Sequence, residues 1–145
     1  MIVFGKVVLG GILLGAAGTD LSGRRIPNRL IAVGLGMFFV LALWLSLQNE
    51  NVLLIGCLQA GGLAFVIHLI PYLLKSMGAG DVKLALIMGL LSGWEDWLGY
   101  MGVYCAFSLI TSVALLCLRK GRQKTLPLAP VMAAAFLFYH FACYI

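Results

Sequence analysis

Apolar residues fill the chain in six long runs, at roughly 2–19, 29–47, 52–74, 82–94, 97–118 and 127–145, with short polar stretches between them. In lipid, backbone polar groups must be paired internally, so such runs predict helices rather than open strands. Five runs have about the length needed to cross a bilayer. The fourth does not: eleven uncharged residues separate Lys83 from Glu95, about 16 Å of helix. The hydrocarbon core is about 30 Å thick. This segment is either re-entrant or spans with recessed ends.

Charge placement arbitrates. If the fourth run spans, the connections alternate sides. One side then carries Arg24, Arg25, Arg29, Lys75, Lys83, Arg119, Lys120, Arg122 and Lys124, nine of the ten bases, with Lys6 the exception. The other side carries Glu50, Glu95 and Asp96. A re-entrant fourth run would move the bases at 119–124 across and spoil this asymmetry. The positive-inside rule therefore predicts six spans, the basic face cytoplasmic and both termini outside. Trp94 and Trp97 fit an outer interfacial belt.

Composition agrees with a membrane protein. Of 145 residues 63% are hydrophobic and 10% charged, and mean hydropathy is +1.07. A soluble domain of this size carries about 25% charged residues, so there is too little polar surface here for a water-soluble globule. The fold class expected is all-α, a single polytopic domain over 1–145 with six transmembrane helices. The net charge of +5 does not argue for nucleic acid, because the bases lie between apolar runs, where they set topology and meet lipid headgroups. The first run is expected to be an uncleaved span, since Lys6 alone is a weak basic leader. Cys57, Cys105, Cys117 and Cys143 lie inside apolar runs without a C-x-x-C pair, so no metal site is expected.

Against this background the chemistry narrows to two carboxylates. Asp20 ends the first run, and Asp81 opens the fourth in Met77-Gly78-Ala79-Gly80-Asp81-Val82-Lys83-Leu84. Both fall on the basic face, and ionisable groups at such positions are costly and default to function. Two carboxyls close together cannot easily both ionise and share a proton. The ionised partner can then take a proton from water while the protonated one polarises a carbonyl. We expect Asp81 as base and Asp20 as acid, the pair titrating as a unit. Alternatively, Asp81 merely caps the fourth helix, and Asp20 pairs with Arg24 or Arg25. Gly78 and Gly80 are expected to admit unusual dihedrals and to leave an open backbone wall for an extended peptide. Asn28 is a plausible helix cap, and Pro127 and Pro130 are expected in the first turns of the last helix. Lys83 lies about 200° around a helix from Asp81 and is expected at headgroups or, more weakly, shaping the site. His68 is expected to be a packed, hydrogen-bonded histidine, and His140 to lie away from the site.

Gly78-Ala79-Gly80-Asp81-Val82-Lys83-Leu84 resembles the GxGD signature of prepilin peptidases. Asp20-Leu-Ser-Gly-Arg-Arg-Ile-Pro-Asn28 is similar to the segment carrying that family's first catalytic aspartate. The resemblance implies a cofactor-free aspartic endopeptidase of a bacterial or archaeal cytoplasmic membrane. It would remove short basic leaders from type IV pilin-like precursors at the cytoplasmic face, with Asp20 and Asp81 catalytic. Larger members carry a four-cysteine zinc insertion after the first helix and often N-methylate the product. That insertion is missing here, which resembles the short forms serving tight-adherence (Flp) pili or preflagellins. A small proton-coupled transporter using the two aspartates as a relay is the reading from another class. It would more naturally place them near the midplane.

Overall fold

A computed structural model describes residues 2–23, 26–75, 77–117 and 128–143, the side chains of 2–4, 115–117 and 143 excepted. Arg24, Arg25, Arg119, Lys120, Arg122, Lys124 and Pro127 lie outside the described residues. The described chain is helical, without strands: α1 (Ile2–Gly23), α2 (Asn28–Leu47), α3 (Asn51–Leu73), α4 (Ala79–Ser92), α5 (Trp94–Cys117) and α6 (Leu128–Cys143). By length and composition α2, α3 and the stretch Trp94–Ala114 of α5 could each cross a membrane, and Leu128–Ala142 is a shorter apolar helix. Large apolar side chains cover the outside, among them Phe39, Leu43, Val52, Ile70, Leu109 and Phe141. Such a surface suits lipid rather than water.

The short fourth helix is the axis of the bundle. It touches each of the other five helices, and Leu84, Ala85, Ile87, Met88 and Leu91 on it are buried. Small residues permit this. A Cβ on Gly89 would sit 2.5 Å from the Ala60 carbonyl oxygen and 2.7 Å from Gly61 Cα. A Cβ on Gly61 would in turn meet Leu90 Cδ2 at 2.6 Å. Close backbone approach through small residues is how helices pack where the surrounding lipid is as apolar as they are.

These contacts set the register. Ala60 on α3 lies against Gly89 on α4, and Gly56 against Trp94, so α3 and α4 run antiparallel. On α1, Gly5 approaches Leu91 at one end of α4, and Asp20 interacts with Asp81 at the other. Two ends follow, one marked by Asp20 and Asp81 and the other by Trp94 and Trp97.

Two boundaries differ from the sequence reading. The break between the fourth and fifth helices falls at Gly93 rather than at Glu95-Asp96. Gly93 has φ +75°, a region glycine enters without steric cost. Glu95 and Asp96 then occupy the first turn of α5, where the helix dipole favours acids. Asn28 is not a cap: Pro27 holds that position in extended backbone, and the Asn28 Oδ1 accepts a hydrogen bond from Lys83 Nζ at 3.4 Å. Pro130 lies in the first turn of α6 as expected.

Lys6 also acquires a physical account. Its ammonium pairs with Asp96 at 2.7 Å, so among the described residues the base at the tryptophan end is neutralised there.

Candidate active site

Asp20 sits in the last turn of α1 and is 8% exposed. Its Oδ2 is buried, with no hydrogen-bond partner among the described residues. An unsatisfied buried carboxyl oxygen is costly, and such exceptions call for a functional explanation. Asp81 is the third residue of α4 and only partly buried. The two carboxyls are electrostatic neighbours. The antiparallel run of α1 and α4 is what brings them to one end of the bundle.

Asp81 does part of what a capping residue does. Its Oδ2 accepts the Gly78 N–H at 3.3 Å. That bond fixes the side chain at the helix start and leaves Oδ1 for other work. Capping and chemistry are therefore compatible at this residue.

The glycines of the motif do not act through unusual dihedrals. Gly78 has φ −80° and ψ 149°, extended backbone open to any residue, and Gly80 is helical. Space is the constraint instead. A Cβ on Gly80 would come within 3.1 Å of Ile26 Cβ, and one on Gly78 within 3.3 Å of Asp81 Oδ2. The α1–α2 connection thus packs directly on the GxGD turn. Lys83 is exposed and turned to Asn28, and Arg29 is exposed at the start of α2.

Two further polar side chains stand at this level. His68 is buried, with Nδ1 2.8 Å from the Ala64 carbonyl oxygen. Carried two turns on from Ala60 and Gly89, the α3–α4 register places it opposite Asp81. Tyr104 on α5 is buried, stacks beside His68 with ring centroids 5.8 Å apart, and is an electrostatic neighbour of Asp81. Sequence reasoning missed Tyr104. A tyrosine within an apolar helix is a faint signal, and only the helix register brings it to the aspartates. His140 lies on α6, its Nδ1 3.0 Å from the Phe136 carbonyl oxygen.

A cleft of about 270 Å³ opens at the opposite, tryptophan end, between Leu41, Leu45, Cys57, Ser92, Trp94 and Glu95. It is remote from the aspartates. No cluster of three or more His, Cys, Asp or Glu stands together among the described residues.

An apolar-surfaced helical bundle with two carboxyls as electrostatic neighbours at one end is an all-α membrane protein with a candidate proton-transfer site. The sequence pattern of the type IV leader peptidase family matches residues 7–120, a stretch that contains both aspartates and the glycines before Asp81. The chain belongs to that family, and its activity in general terms is that of a leader peptidase. It matches no curated protein and no solved structure.

Proposed function

We propose that this protein is an aspartic endopeptidase, in which Asp20 and Asp81 hydrolyse the bond between a short basic leader and the apolar helix of a type IV pilin-like precursor. The observation that carries the reading is the buried Asp20 carboxyl, with an unpartnered oxygen, beside Asp81. The whole chain acts as one domain, its six helices spanning the membrane and in contact with its lipids. The aspartate end faces the cytoplasm, in keeping with the bases concentrated there.

The local bonding supports a division of labour. Asp81 accepts the Gly78 N–H, which holds its carboxyl at the start of α4. Asp20 Oδ2 has no hydrogen-bond partner among the described residues, which leaves it open to a substrate carbonyl. The Asp81 carboxylate takes a proton from water as the water oxygen bonds to the scissile carbonyl carbon. The Asp20 carboxyl donates to the carbonyl oxygen. Collapse of the tetrahedral adduct breaks the C–N bond: one hydroxyl of the adduct returns its proton to Asp20 as the proton held by Asp81 passes to the departing amine. Gly80 lets Ile26 of the α1–α2 connection close on the start of α4, and Gly78 gives its N–H to Asp81, so both glycines shape the site. Lys83 serves headgroups. No cofactor takes part, and the reading extends to cleavage without methylation.

The test is cleavage of a precursor carrying a short basic leader and an apolar helix, by protein in membranes, compared with Asp81→Asn at matched expression.

A further inference from the structure

Tyr104 combines features that packing alone does not require. Its ring lies parallel to Tyr100, centroids 6.1 Å apart with 8° between planes, and close to His68. Tyr100, one turn earlier on α5, uses its hydroxyl on the Met132 carbonyl oxygen at 2.9 Å. That is a structural bond tying α5 to α6. His68 is held by Ala64, so its ring is a fixed wall. Tyr104 thus lies against two rings that are each hydrogen-bonded to backbone, and in the electrostatic field of Asp81. Ser108, one turn on, is the other hydroxyl beside it.

We propose that Tyr104 is a positioning residue of the aspartate pair: its phenol donates to the carboxyl oxygens or to the water they activate, and His68 and Tyr100 hold its ring in place. The inference rests on the peptidase reading and adds a third functional side chain to it. Hydrogen-bond donation favours the ionised carboxylate, which is the form that accepts the proton from water. Among the described residues the ionisable groups around this end are Asp20 on α1, Arg29 on α2, His68 on α3 and Lys75 just after it, Lys83 on α4 itself, and Tyr104 and Cys105 on α5. The described part of α6 brings no Asp, Glu, Lys or Arg.

The experiment uses the full chain in lipid vesicles with a synthetic precursor, a short basic leader joined to an apolar helix. Tyr104→Phe keeps the ring and removes the donor. Its kcat is expected to fall about 10- to 100-fold, the worth of a hydrogen bond to a charged group, with KM unchanged. The acid limb of its pH profile moves to higher pH. Thr111→Val, which removes a hydroxyl further along α5 that bonds only the backbone carbonyl oxygens of Phe107 and Ser108, leaves kcat and the pH profile in place. Infrared titration of the carboxyl C=O band reads the pair without substrate, and Tyr104→Phe shifts that titration upward too. If wild type cleaves, Asp81→Asn does not, and Tyr104→Phe matches wild type in kcat, pH profile and infrared titration, the role of Tyr104 is overturned and the peptidase reading stands. If wild type fails to cleave, the peptidase reading falls, and the infrared titration still decides whether Tyr104 acts on the pair. Should Tyr104→Phe not fold, 3-fluorotyrosine at position 104 keeps shape and hydroxyl while making a stronger donor. Both titrations then move to lower pH, and an unchanged profile overturns the proposal.

Discussion

Asp20, in the last turn of α1, and Asp81, in the first turn of α4, meet as electrostatic neighbours at one end of a bundle whose axis is α4. The helix dipole acts on them oppositely: a carboxylate is disfavoured at a helix C-terminus and favoured at an N-terminus. Two acids of one type are thereby given unequal environments, as a proton-sharing pair needs.

Removing either carboxyl should therefore stop turnover without unfolding the protein. Asp20→Asn and Asp81→Asn are each expected to lower precursor cleavage by at least about 1000-fold, and the double variant to be no worse than either single one. Glu at either position should also be poor, because a methylene displaces the reacting oxygen beyond the tolerance of an oriented reaction. Asp20→Asn should be about as thermally stable as wild type, since the shape is kept and the buried Oδ2 makes no hydrogen bond among the described residues that the change would break. Near-normal processing by either Asn variant would eliminate the pair mechanism.

Much of this arrangement was legible in the sequence, for a physical reason. Hydropathy reports where a helix lies, so six apolar runs became six helices. Scarcity points to function, so two acids on the basic face became the candidates, and they lie at one end of the bundle. What a helix touches depends on its register against neighbours, and hydropathy does not carry that. The ion pair of Lys6 with Asp96, the packing of Ile26 on Gly80 and the place of Tyr104 beside Asp81 all arise between segments far apart in the chain. The Gly93 break was hidden by a different effect. Glu95 and Asp96 look like a loop to a hydropathy reading, yet acids are welcome in a first helical turn.

The crossing of α3 and α4 should respond to small changes of volume. A methyl on Gly89 collides with the α3 backbone at Ala60 and Gly61, atoms that cannot move without moving the helix. Gly89→Ala is expected to cost about 1–3 kcal/mol and Gly89→Val more. Gly61→Ala meets Leu90 Cγ and Cδ2 at 2.6 Å and the Leu90 backbone nitrogen at 3.3 Å; the side chain can change rotamer and the backbone cannot, so its cost should be somewhat smaller than that of Gly89→Ala. Gly36→Ala meets nothing within 4 Å and should be close to neutral. Thermal unfolding in detergent measures all three, and equal effects of Gly89→Ala and Gly36→Ala would contradict the packing described.

Lys6 and Asp96 join the starts of α1 and α5 with both side chains largely shielded. Replacing one leaves the other as an uncompensated charge in a half-buried place. Lys6→Met and Asp96→Asn are each expected to cost about 1–3 kcal/mol, between the values for exposed and for buried pairs. The exchange Lys6→Asp with Asp96→Lys should recover at least half of the single-variant loss, because the pair is re-formed with its ends reversed. A double-mutant cycle reads this coupling, and strict additivity would show the pair to be energetically idle.

Topology gives the most direct check on the face at which the aspartates work. The antiparallel path of α1 and α4 puts Ser22 at the aspartate end, whereas Glu50 lies in the α2–α3 connection at the opposite end. Both are exposed, so a cysteine at either site can be labelled. In a background with the four native cysteines replaced, a membrane-impermeant maleimide applied to intact cells should label Glu50→Cys and spare Ser22→Cys. After permeabilisation both should react. The asymmetry follows from the bases near the aspartate end, Arg29, Lys75 and Lys83 among them, which the positive-inside rule holds in the cytoplasm, while the base at the tryptophan end is neutralised by Asp96. Labelling of Ser22→Cys from outside intact cells would invert the orientation and place the aspartates on the outer face, away from a cytoplasmic leader.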